Sequence, residues 1–129
     1  MKRFILKHTV TKEEIDNLNH VNNVVYVQWI QDIAGKHWQD LIKDQAKQHY
    51  IWVVIRHEID YLKSAKLEDN ITLKTWVGES KGLKSIRYVE IFRNQDLLAK
   101  AKTTWCMLDT KTHRPLRITE DVLKILNSS

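Results

Sequence analysis

The chain has 129 residues, of which 43% are hydrophobic and 29% charged, the balance of a folded globular protein rather than a disordered one. That length buries a core without help from disulfides or a metal, and one cysteine excludes an internal disulfide and fits a reducing, cytoplasmic setting. A net charge of +5 is compatible with anionic substrates, acidic partners or nucleic acid, and selects none of them.

One domain covering residues 1–129 is expected. Charges flank the short apolar stretch Phe4-Ile5-Leu6, and no long apolar segment follows, so no secretory signal is expected. The longest apolar run, Ile51 to Ile55, is too short to span a bilayer. Residues 2–10 read as a first strand, with Phe4, Leu6 and His8 alternating against Arg3, Ile5 and Lys7. Residues 11–22 are polar and read as a loop.

From Asn23 to about Lys43 the period becomes helical: Tyr26, Trp29, Ile30, Ile33, Ala34, His37 or Trp38, and Leu41 recur at three- and four-residue steps. Asn22 or Asn23 supplies the N-cap. Four strands then follow over 51–62, 70–79, 84–93 and 97–109. In the first of these, Ile51, Val53, Ile55, Ile59 and Tyr61 are expected on one face; in the second, Ile71, Leu73, Thr75 and Val77 alternate with Thr72, Lys74 and Trp76. A closing helix is expected from Thr119, as cap, to Leu126. The order β-α-β-β-β-β, with short polar turns, predicts an α+β fold in which an antiparallel five-stranded sheet curls around one long helix.

The stretch Asp16-Asn17-Leu18-Asn19-His20-Val21-Asn22-Asn23 sets a carboxylate and an imidazole at the entrance to the longest helix. Free N–H groups of a helix's first turn stabilise developing negative charge, such as the oxyanion of an attacked thioester carbonyl. Asp16 is placed to activate water or to attack the carbonyl carbon itself. Asp and Asn before a helix are also common as caps and turn formers.

The pattern Asp16-x-x-x-His20-Val21-Asn22-Asn23-x-x-Tyr26, running into a helix with Trp29, resembles the signature loop of hot-dog acyl-CoA thioesterases of the 4-hydroxybenzoyl-CoA thioesterase type, and the matching loop of acyl-acyl-carrier-protein thioesterases. His57-Glu58-Ile59-Asp60-Tyr61, then Ala101-Lys102-Thr103-Thr104-Trp105 and Arg114-Pro115, extend the resemblance over nearly the whole chain. It implies a thioesterase acting on an acyl-CoA or acyl-carrier-protein ester without a cofactor. Asp16 would be the catalytic carboxylate, with a polarising backbone N–H near Asn23 or Val24. His20, among the catalytic residues, and Asn22, among the substrate-binding ones, would shape the loop and orient the thioester or water. The site would lie at the interface of a homodimer or dimer of dimers, with Glu58, Asp60 and Tyr61 contributing and Tyr26 completing the substrate-facing motif. The chain departs from the plant carrier-protein enzymes at Leu18, where they carry asparagine, and at Ser64-Ala65, where they carry an acid and a cysteine. That argues against a cysteine-type or Asn-His-acid triad.

Lys81, Lys84, Arg87 and Arg93 lie around one turn and the strand after it. They read either as a solvated face at a protected sheet edge or as contacts for CoA phosphates or an acidic carrier, with Lys84 and Arg87 the residues named for the second role. Cys106 reads as a buried small hydrophobe, and most of the five tryptophans as core or interface, with some lining an acyl tunnel. The six histidines are dispersed without metal-ligand spacing, so no metal site is expected. A non-catalytic acyl-CoA-binding or regulatory hot-dog domain is the alternative function. No recognised motif or concentrated basic helix supports nucleic-acid binding.

Overall fold

A computed structural model describes residues 2–45 and 48–129. In chain order it comprises β1 (Phe4–Thr9), a single 3-10 turn (Lys12–Glu14), α1 (Asn23–Ile42), β2 (Tyr50–Tyr61), β3 (Asn70–Lys81), β4 (Lys84–Arg93), β5 (Asp96–Asp109) and α2 (Glu120–Asn127). The strands form one antiparallel sheet in the order β1-β3-β4-β5-β2. This is the expected α+β hot-dog architecture, with α1 against the inner face of the sheet. The 3-10 turn falls inside the stretch read as a loop.

The alternation read for β1 and β3 is the one observed. Ile71, Leu73, Thr75 and Val77 are buried on the inner face of β3. Gly82, at φ +65°, is the first central residue of the two-residue β3–β4 turn, a position where the backbone favours glycine. Tyr26, Trp29, Ile30, Ile33, Ala34 and His37 form the buried stripe of α1. The apolar core divides along the helix. One cluster joins the first half of α1 to β3, β4 and β5; a second gathers Val77, Met107, Ile118, Val122 and Leu126 beneath α2.

Two expectations are corrected. The first concerns β2, where the pairing register shifts between Val54 and Arg56, leaving Ile55 as a bulge residue against β5. A bulge inserts one extra residue and resets which side chains face the core. Before it, Trp52 and Val54 lie opposite the inward-facing Met107 and Trp105; after it, His57, Ile59 and Tyr61 lie opposite Thr103, Ala101 and Ala99. By alternation Ile51 and Val53 therefore face outward, and Ile51 and Ile55 are exposed. The second concerns β4, which lies between β3 and β5 and is not an edge. Arg87 is only 6% exposed, on the inner face, and not part of a solvated basic face.

Arg87 ties α1 to the sheet. Its Nη1 donates to His37 Nδ1 at 2.7 Å and to Thr75 Oγ1 at 3.2 Å, and Thr75 Oγ1 donates to the Tyr88 carbonyl at 2.8 Å. The His37 ring also stacks on Phe4 at 4.9 Å. Burial first, and then the charge of Arg87, push the His37 pKa down from 6.5 to about 4. Folded His37 is therefore neutral where the unfolded chain's imidazole begins to take up a proton. Its contribution to stability is complete above about pH 6.5 and is lost as the pH falls toward 4. Burial lowers the His57 pKa as well, with the same sign. Urea-unfolding midpoints should accordingly drop between pH 7 and pH 5, and the slope should flatten in a folded His37→Gln variant.

Candidate active site

Between β1 and α1 the chain closes a tight loop on its own backbone. Ile15 and Val21 form a bridge, the Asp16 N–H donates to the His20 carbonyl at 2.7 Å, and the Asn19 N–H donates to the Asp16 carbonyl at 3.2 Å. Asn19 turns the chain at φ 59°, a left-handed conformation that asparagine tolerates. The Asp16 side chain sits in the mouth of this loop, exposed to solvent. Its Oδ1 accepts from the His20 N–H at 3.1 Å and the Leu18 N–H at 2.8 Å. Those two bonds, His20 first, hold its carboxyl below the usual aspartate value, so it is ionised at neutral pH. Oδ2 takes part in neither bond.

The helix begins one residue after the cap. Asn22 Oδ1 accepts from the Val24 N–H at 3.2 Å, which makes Asn22 the cap and occupies the Val24 donor. The Asn23 N–H has no hydrogen-bond partner among the described residues. Of the two donors expected to polarise a carbonyl, Asn23 is the one left open.

Two tyrosines fix this corner. Tyr61, at the end of β2, donates its hydroxyl to the Asn23 carbonyl at 3.4 Å. Tyr26 is buried, and its hydroxyl accepts from the Ala65 N–H at 3.0 Å, while the Ala65 carbonyl accepts from the Val21 N–H at 2.9 Å. The rings of Tyr26 and Tyr61 meet edge-on at 5.3 Å. Tyr26 thus acts on the loop from within the core. Leu18 and Val24, 74% and 73% exposed, leave apolar side chains in solvent beside Asp16.

Glu14 anchors the loop from behind and was not singled out from the sequence. Its Oε1 accepts from the Thr11 N–H at 2.8 Å and lies 2.7 Å from His8 Nε2; its Oε2 accepts from Trp29 Nε1 at 2.8 Å. Its backbone carbonyl accepts from the Asn22 N–H at 3.0 Å, which ties the same residue to the helix cap. The spacing Thr11-x-x-Glu14 is that of a capping box, and this was the available signal. His57 was also missed as an individual group: its Nδ1 lies 3.0 Å from Thr103 Oγ1, and its Nε2 lies 3.3 Å from Gln31 Nε2 on α1.

Other residues singled out from the sequence lie elsewhere. Glu58 and Asp60 alternate with the inward-facing residues of β2 and lie on the outer face of the sheet, where Glu58 pairs with Arg56 at 3.3 Å. Lys84 is exposed at the β3–β4 hairpin. Arg87 sits under the second half of α1, too deeply buried to meet a CoA phosphate at the surface. Cys106 is buried, as expected. No cluster of metal-ligating side chains occurs among the described residues.

Burial works against the charge on Glu14, but the bonds from Thr11, His8 and Trp29 outweigh it and hold the carboxyl below its ordinary value of 4.5. The stability this contributes is present above that value and is lost as the pH falls through the folded pKa. Glu14→Gln should therefore destabilise the protein by about 1.5–3 kcal/mol at pH 7, the scale for hydrogen bonds to a charged group. Urea unfolding would measure it, and the gap from wild type should narrow below pH 4.5.

Comparison with known proteins identifies the family and the fold. Residues 2–126 match the family model of the acyl-ACP thioesterase N-terminal domain. An oleoyl-acyl carrier protein thioesterase from the chloroplast of Coriandrum sativum is 24% identical over 129 residues, covering 91% of this chain and 32% of that protein. The chain thus spans about a third of the length of that relative. A predicted thioesterase from Bacillus stearothermophilus has the same fold, with a TM-score of 0.88 at 23% identity over 98% of this chain and 96% of that one. A Staphylococcus aureus protein solved in complex with CoA also has a TM-score of 0.88, at 17% identity over 98% of this chain and 83% of that one. The chain belongs to the family of acyl-ACP thioesterase N-terminal domains.

Proposed function

We propose that the chain hydrolyses acyl thioesters at the Asp16 loop. The observation that carries this reading is an ionised carboxylate on a backbone-locked loop directly preceding a helix whose first N–H has no partner among the described residues. Asp16 either removes a proton from the attacking water or attacks the carbonyl carbon itself to give an anhydride that water then opens. Either route converts thioester and water into carboxylic acid and thiol. The Asn23 N–H takes the developing oxyanion. His20 and Asn22 hold the loop and the cap, and no cofactor enters the scheme.

The thiol carrier is a CoA or an acyl-carrier protein. The family match favours the carrier protein, and the CoA complex of the Staphylococcus aureus neighbour favours CoA. Lys84, exposed on its hairpin, is the cation best placed for an anionic carrier.

The working unit is a homodimer joined through β2. That strand is an edge of the sheet, 12 residues long, with Ile51, Ile55, Tyr61 and the adjacent Leu62 exposed along it. A long unpaired edge with exposed apolar side chains along it invites another strand. Two-fold antiparallel pairing of β2 edges brings Tyr61 of one protomer beside the partner subunit's Tyr50. The Asp16 loop of each protomer then faces the second half of its partner's α1.

Thiol release from acyl-CoA and acyl-carrier-protein esters, measured beside a folded Asp16→Ala variant, tests the chemistry. Turnover should fall at least roughly a hundredfold, the scale of a lost general base. Equal rates would remove Asp16 from the reaction. Binding of CoA esters without turnover of any thioester would support the non-catalytic alternative. In sedimentation velocity, wild type should run as a dimer or a multiple of one, and Ile55→Glu should shift it toward monomer.

A further inference from the structure

Beneath the second half of α1, a cavity of about 390 Å³ opens toward the start of β2, walled by Trp38, Tyr50, Trp52, Ser85, Arg87 and Trp105. Its walls are mainly aromatic, as for a hydrocarbon guest, with Gln39, Gln48 and Ser85 as neutral polar groups and Arg87 as the charged group among them. Arg87 brings a buried guanidinium whose bonding partners, His37 and Thr75, are both neutral. No carboxylate lies within ion-pair distance of it among the described residues. The Tyr50 hydroxyl, Trp52 Nε1 and Trp105 Nε1 are buried and have no hydrogen-bond partner among the described residues. Guanidinium and indole N–H groups only donate.

A clamp between helix and sheet does not account for this arrangement. Tying His37 to Thr75 needs one donor and no charge, and burying an uncompensated charge is costly. What complements the guanidinium in an otherwise neutral, mainly aromatic cavity is a compact, negatively charged group that accepts hydrogen bonds, and a carboxylate is that group.

We propose that the cavity receives a carboxylate at the far end of the acyl group, so that the preferred substrates are ω-carboxyacyl thioesters, the monothioesters of dicarboxylic acids, over unsubstituted acyl chains. This rests on the reading that acyl thioesters are cleaved at the Asp16 loop. In the dimer described above, the thioester end lies at one protomer's loop and the carboxylate end in the partner's cavity.

The test compares kcat/KM for two series of CoA esters matched in carbon number, one ω-carboxylated from succinyl to dodecanedioyl and one unsubstituted. At the best length, the carboxylated ester should be favoured at least roughly tenfold, as expected where a site built to hydrogen-bond a substrate group rejects the analogue lacking it. The ratio should collapse in Arg87→Met through KM. It should fall less in Arg87→Lys, which keeps the positive charge and guards against misfolding of the methionine variant. Independently of turnover, free suberate should change the tryptophan fluorescence saturably and octanoate should not, in wild type and in Asp16→Asn alike. A preference for unsubstituted esters, with no suberate binding, would overturn the carboxylate site and leave the thioesterase reading standing. Suberate binding that is lost in Arg87→Met, in a protein that cleaves no thioester, would sustain the site and reject the thioesterase reading.

Discussion

A helix of 20 residues must be covered along one stripe while its first turn stays open, and the rest of the chain answers to that requirement. The stripe from Tyr26 to His37 is buried against the sheet, which requires a sheet that curls. The open turn needs its chain entry held without closing its donors. Asn22 satisfies the Val24 N–H, Tyr61 takes the Asn23 carbonyl, and the Asn23 N–H stays open. A cap that also engaged Asn23 would give a stiffer helix start and leave no open donor there.

Two ionised side chains divide the helix between them. Glu14 gathers Thr11, His8 and Trp29 near the first turns of α1. Arg87 holds His37 near its fourth turn, and no opposing carboxylate meets it among the described residues. Negative charge near the start of a helix and positive charge toward its end agree with the direction of its dipole. They differ in completeness, because the Glu14 carboxylate is surrounded by donors whereas the guanidinium lines a cavity with no carboxylate in its walls.

Element order, the helix with its cap, and the inner faces of β1 and β3 were legible because each rests on a local period or a local bond. The cap Thr119 and the helix Glu120–Asn127 were legible for the same reason. The Asp16 loop was legible through residue types whose hydrogen bonds run to near neighbours. Less legible was anything set by pairing between distant strands. The inward half of β2 depends on Ile55 having no partner on β5, and no period within β2 records that. Arg87 carries the same charge as the exposed lysines around it, and its burial follows from facing α1 on the inner side of a central strand. Glu58 and Asp60 stand next to Tyr61 in sequence, yet the pleat sends them to the opposite face. Glu14 was legible in principle, since its capping spacing is written in the chain.

The bulge at Ile55 makes β2 two strands in series with separate frames. The frame before it, with Trp52 and Val54 inward, builds the wall of the cavity; the frame after it, with His57 and Tyr61 inward, reaches the helix start. Because the two frames are joined at one residue, sequence change in either half leaves the facing of the other untouched. The end that walls the cavity and the end that borders the Asp16 loop can therefore diversify independently along a single continuous strand.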